Sequence, residues 1–169
     1  GKSPLATSYS VAGSPGSDEI KLLDQQLMST RARLDSIRKI YAGLTDDELA
    51  TVGADLEKVF VNVVDAQRKF NIKFIIENIN SMASIQALYQ RIDDNTYVLY
   101  QPRDLQYLKI VSDSLSVKYP VSRHVRALKE NVTSELNQMY INRMATLASQ
   151  LPVTNTNPLL PDTHGKMVI

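Results

Sequence analysis

The residues best suited to chemistry are the clustered carboxylates, and the densest cluster is Asp46-Asp47-Glu48. Adjacent acids can hold a divalent cation, which takes several oxygen ligands. The residue in front of them supplies a simpler use. Thr45-Asp46-Asp47-Glu48 is a capping box, in which the threonine hydroxyl accepts from the Glu48 amide and the Glu48 carboxylate accepts from the Thr45 amide. Acids in a first helical turn also suit the positive end of the helix dipole. Asp93-Asp94 runs into Asn95. The spaced oxygen ligands of a calcium loop are missing there, and Asx side chains in a turn satisfy nearby backbone amides instead. His124 and His164 sit in different segments, neither at ligand spacing from another histidine or a cysteine, and His124 is expected to face solvent near a helix start. No metal site is predicted.

Nucleophilic chemistry finds as little footing. The chain has no cysteine, which excludes disulfides, zinc-thiolate sites and thiol redox chemistry within it. No Gly-x-Ser-x-Gly elbow presents a serine to a base. Gly13-Ser14-Pro15-Gly16-Ser17 lacks the lysine and glycine spacing of a phosphate loop and reads as a linker. Asn131-Val132-Thr133 matches a glycosylation acceptor but falls inside a predicted helix. No catalytic or cofactor-binding residue is therefore assigned. The tyrosines remain: Tyr89, Tyr97, Tyr100 and Tyr107 gather in mid-chain while tryptophan is absent. They fit either an exposed docking patch for a protein partner or the lining of a groove between short helices with each hydroxyl at the surface.

The composition bounds the class. With 169 residues, 43% of them hydrophobic, the chain can build one domain with a sizeable core. It holds no apolar run of about eighteen residues, so no membrane span is expected. Nineteen basic residues against eighteen acidic ones leave a formal charge of +1. These charges are interleaved, which argues against a nucleic-acid or anionic-membrane footprint.

The spacing of apolar residues gives the elements. Residues 1–16 are rich in Ser, Gly and Pro, with a brief alternation at Thr7, Tyr9 and Val11 that fits a short strand or a tail. A first helix is predicted from about Ser17 to Ala42, with Ile20, Leu23, Leu27, Leu34, Ile37, Tyr41 and Leu44 in one heptad frame and Thr30 filling its gap. The second starts at the capping box and repeats the spacing through Leu49, Val52, Leu56, Val59, Val63, Ala66 and Phe70. So short a connector as Gly43-Leu44 makes the two antiparallel. Gly53, inside the second helix, points to a close crossing there. Ser81 is predicted to cap a short helix with Ile85, Leu88, Tyr89 and Ile92 on its apolar side, and Asp93-Asp94-Asn95-Thr96 to make a turn. Tyr97-Val98-Leu99-Tyr100 is too short to decide between helix and extended chain. Pro102 opens a fourth helix with Leu105, Leu108, Val111 or Ser112 and Leu115 on its core side. Ser122 opens a fifth, through Val125, Leu128, Val132, Leu136, Met139, Met144 and Leu147 to about Gln150. Residues 151–161 read as an interdomain linker. The expected fold is an all-α antiparallel bundle of about five helices over residues 17–150, with an N-terminal strand or tail and an extended C-terminal tail.

Two segments carry a family resemblance. Leu160-Pro161-Asp162-Thr163-His164-Gly165-Lys166 resembles the turn that opens a thioredoxin-like domain, and Phe74-Ile75-Ile76-Glu77-Asn78-Ile79-Asn80-Ser81 resembles a run in the helical module ahead of it, with Ile79 where proline is common. The family is the thioredoxin-like thiol-disulfide oxidoreductases of the bacterial cell envelope. The resemblance implies a non-catalytic spacer or interaction module, located in the periplasm or envelope. Its partners would be a preceding β-domain and a following redox domain of the same parent, with a further protein partner or self-association possible. Gly1 is no natural bacterial start, so an N-terminal cut is expected. The alternative is a stand-alone helical interaction domain unrelated to redox chemistry.

Overall fold

The computed structural model describes residues 15–151. The alternation at Thr7, Tyr9 and Val11, His164, and the segments 1–14 and 152–169 lie outside the described residues. Among the described residues the fold is all-α, with α1 (Pro15–Ala42), α2 (Asp46–Glu77), α3 (Ala83–Tyr89), α4 (Leu105–Lys118) and α5 (Arg123–Ser149). A small hairpin, β1 (Arg91–Asp93) and β2 (Thr96–Tyr97), and a 3-10 turn, Pro102–Asp104, join α3 to α4. The chain divides into two compact units, Gly1–Thr133 and Ser134–Ile169, with the boundary inside α5.

In the first unit α1 and α2 lie antiparallel. Arg38 stacks on Phe60, while Tyr41, further along α1, donates to Glu57, earlier on α2. Helix α1 starts at Pro15 rather than near Ser17. Proline suits a first turn, where its missing N–H has no partner to lose. The seam of α1 follows the expected frame: Leu23, Leu27, Thr30 and Leu34 are buried, with Ile20 and Ile37 packed beside them.

The seam of α2 departs from its frame. Val52, Val59 and Ala66 face outward, while Gly53, Val63, Gln67, Arg68, Asn71, Phe74 and Ile75 are buried. A straight helix drifts about 20° per heptad against a strict seven-residue repeat. Over the 32 residues of α2 that drift moves the buried row by one position. Gly53 also serves differently from the expectation. A Cβ there would meet Leu49 Cδ2 at 3.5 Å and Tyr41 Cε2 at 3.9 Å, ordinary packing distances, so the crossing does not require glycine.

Helix α3 begins at Ala83. The Ser81 hydroxyl accepts from the Ala83 amide at 3.1 Å and donates to Glu19 Oε1 at 2.8 Å, which ties the turn to α1. In the hairpin Asp93 Oδ1 accepts from the Asn95 amide at 2.9 Å, the Asx turn the sequence suggests. Val98 and Leu99 follow β2 into the core in non-helical conformation. Helix α4 buries Val111, Ser112 and Leu115. It runs alongside the C-terminal half of α2 in the same direction, since Asp104 meets Arg68 and Ser114 meets Asn80. Ser122 Oγ accepts from the Val125 amide at the start of α5, which packs Val125, Leu128 and Val132.

Candidate interaction surfaces

One carboxylate in each cluster, Glu48 and Asp93, is held by a backbone amide. Thr45 and Glu48 form the complete capping box, with Glu48 Oε2 accepting from the Thr45 amide at 2.8 Å and Thr45 Oγ1 accepting from the Glu48 amide at 3.3 Å. The Thr45 amide, foremost, holds the Glu48 carboxyl below the usual glutamate range. The Asn95 amide, foremost, does the same for Asp93. Among the described residues no three His, Cys, Asp or Glu side chains come together as a metal set. His124 is exposed, at the start of α5. Ser36 and Lys39 have the Ser-x-x-Lys spacing of some acyl-transfer enzymes. Both lie exposed on α1, where the Ser36 hydroxyl donates to the Ala32 carbonyl at 3.1 Å.

The four tyrosines do not meet in one place. Tyr89 and Tyr97 pack edge to face, ring centroids 6.4 Å apart, and Asn131 of the glycosylation-like triplet donates to the Tyr89 hydroxyl. Arg91 covers the Tyr97 ring at 4.8 Å and donates to its hydroxyl. Tyr100 borders a different hollow, with Phe60, Val64 and Ile92. Tyr107 lines a third, the open groove of about 530 Å³ between α2 and α4, together with Ile72, Ile76, Lys69, Lys73 and Arg103.

Two buried polar features escape the apolar periodicity. The first is a bidentate ion pair in which Arg68 Nε donates to Asp104 Oδ2 at 2.8 Å and Arg68 Nη2 donates to Asp104 Oδ1, with side chains 6% and 2% exposed. Asp104 Oδ2 also accepts from the Gln101 amide at 3.1 Å. The second is a chain of amides. Thr30 donates to Gln67, Gln67 to Asn71 at 2.7 Å, and Asn71 to both the Ala87 carbonyl and Gln90 Oε1 at 3.0 and 2.9 Å. This network is internally satisfied, and it fixes α1, α2 and α3 against one another.

The remaining feature belongs to the second unit. Beyond Val132 the apolar spacing of α5 continues, yet Leu136, Met139, Tyr140, Met144, Leu147 and Leu151 are 37–66% exposed. The sequence places Leu136, Met139, Met144 and Leu147 on the same seam as Val132. The structure ends that seam at Val132.

Comparison with protein-family models, with curated proteins and with solved structures gives no match to this chain.

Proposed function

We propose that this chain is a non-catalytic helical interaction module. The observation that carries the reading is the contrast along α5, whose first turns bury Val125, Leu128 and Val132 and whose last four turns present Leu136, Tyr140, Met144 and Leu147 to solvent. Contiguous exposed apolar side chains rimmed by polar ones mark interaction surfaces. The motifs at 74–81 and 160–166 favour, as the parent, a thioredoxin-like thiol-disulfide oxidoreductase of the bacterial envelope, in which the helices act as spacer and docking element.

Each half of the reading has its own test. A photoreactive phenylalanine at Tyr140, in the chain exported to a bacterial periplasm, is expected to cross-link, while the same group at exposed Glu130 is not. Equal yields at both positions would remove the interaction reading. For the parent, codons following Ile169 are expected to encode a Cys-x-x-Cys pair; a gene that continues without one would remove the redox assignment and leave the stand-alone interaction domain.

A further inference from the structure

We propose that the groove between α2 and α4 binds a medium-chain fatty acid, its carboxylate on the Arg68 and Arg103 guanidinium groups and its chain along Ile72 and Ile76. The site lies within the first unit and goes beyond the interaction reading, making no use of α5. Arg68 is its fixed point. The side chain is 6% exposed, and Asp104 holds it through Nε and Nη2. Its third nitrogen, Nη1, has no hydrogen-bond acceptor among the described residues; Asp65 Oδ1 stands 4.0 Å from it, outside hydrogen-bond reach. Among the described residues the one fully enclosed side-chain polar atom without a partner is Ser17 Oγ, so Nη1 is reached by solvent. Because Arg68 borders the groove, Nη1 is a donor held in place on its wall.

Arg103 supplies the second set of donors. Its Nε donates to Gln101 Oε1 at 2.7 Å, and its Nη1 and Nη2 have no acceptor among the described residues. The register of the two helices, with Asp104 at Arg68 and Ser114 at Asn80, sets Arg103 level with Arg68 and Lys69, and Tyr107 level with Ile72. The groove therefore grades from a cationic end to one where Ile76 is 57% exposed, the order of head and tail in an amphiphile. Charge then selects the head. Lys69 and Lys73 pair along α2 with Asp65 and Glu77, as Arg68 pairs with Asp104, so Arg103 leaves the groove with one positive charge over. One charge suits a monoanion, and planar guanidinium groups suit a carboxylate. A phosphomonoester or an acidic peptide would bring more negative charge than the groove offsets. From Arg68 to Ile76 α2 rises about 12 Å, which limits the tail to medium length.

Decanoate is the probe, titrated into the full chain and followed by amide and methyl NMR. Saturable shifts are expected at Ile72, Ile76 and Tyr107. Decanol, which lacks the charge, and acetate, which lacks the chain, are each expected to bind at least about tenfold more weakly. Arg103→Gln changes an exposed side chain and is expected to weaken decanoate about tenfold while leaving decanol unchanged. Ile76→Ser is expected to weaken both, with helical circular dichroism confirming that each variant folds. Decanol binding as tightly as decanoate would overturn the proposal, as would decanoate that fails to saturate below about 10 mM. Equal affinity of Arg103→Gln and wild type for decanoate would overturn it as well. Shifts at the exposed Leu136, Met144 and Leu147 as large as those at Ile72 and Ile76 would mean general detergent binding and no site. A peptide with an apolar C-terminus that binds more tightly than decanoate, and only with its carboxylate free, would assign the groove to a protein partner and end the fatty-acid reading.

Discussion

Arg68 and Asp104 place a full positive and a full negative charge where almost no water reaches, 6% and 2% exposed. Each is tolerable only because of the other, so removing one leaves an uncompensated buried charge. Asp104→Ala is expected to cost about 3 to 5 kcal/mol in urea unfolding. Replacing both, Arg68→Met with Asp104→Leu, is expected to recover most of that loss; the remainder reflects the Gln101 amide, which loses its acceptor. If the double variant is no more stable than Asp104→Ala, the cost lies in packing rather than charge. Glu48 offers the opposite case, an exposed carboxylate with a pH signature. Its folded pKa is depressed by the Thr45 amide, so its contribution is complete above the unfolded value, near about 4.3, and is lost as the pH falls through the lower folded value. Glu48→Gln should therefore flatten the acid limb of the stability curve and leave the neutral region with a small constant loss. An unchanged acid limb would show that the carboxylate takes no part in capping. The capping box is legible in the sequence because its members lie within one turn. The Arg68–Asp104 pair is not, since its partners stand 36 residues apart and neither has a local signature.

At the scale of elements, periodicity placed the helices well and their faces less well. All five predicted helical segments are helical, and the α1 seam holds from Leu23 to Leu34. On α2 the heptad frame fails at Val52, Val59 and Ala66, because an α-helix turns through 3.6 residues rather than 3.5 and because positions that turn inward include Gln67 and Asn71, which a hydrophobic pattern cannot register. Gly53 illustrates the same limit. The sequence shows a glycine that weakens a helix but not whether anything needs the space. With only ordinary contacts waiting for a Cβ, Gly53→Ala is expected to stabilise the chain by about 1 kcal/mol, read from the urea midpoint at constant slope. A destabilised variant would mean that Tyr41 presses closer to α2 than its 3.9 Å approach allows. Helix α5 is one element with two environments. Among the described residues Val125, Leu128 and Val132 are buried, whereas every residue from 133 to 149 is exposed. Short unsupported helix is marginal in water. Native-state hydrogen exchange in dilute solution should find the later amides exchanging far faster than those near Val125 and Leu128, and equal protection would indicate a covering surface already in place.

Over the whole chain, the described residues combine an all-α first unit, pinned internally by polar side chains, with a second unit that presents apolar ones. The sequence conveys the first half of that description through helix spacing, caps and turns, all of which are local. It cannot convey the second, because Leu136, Met144 and Leu147 carry the same spacing as Val125, Leu128 and Val132 and differ only in what lies opposite them. A buried network such as Thr30, Gln67, Asn71 and Gln90 also bears on how the first unit holds its register. Apolar surfaces slide past one another at little cost, whereas a shifted helix would leave several buried amides without partners, each costing about 1 to 3 kcal/mol. The first unit should thus be self-sufficient, and a truncated chain tests this. Ending it at Asn137 keeps the residues through Thr133 and supplies the four amides that their last carbonyls need as donors. The stability of this shortened chain in dilute solution is expected to lie within about 0.5 kcal/mol of the full chain, the range of surface changes, because the described side chains among those removed, 138–151, are exposed. A dilute-solution loss above about 2 kcal/mol would show that the residues after Asn137 contribute to the packing of the first unit, and α5 would then have to be read as one continuous packed element rather than as a packed half followed by a presented one.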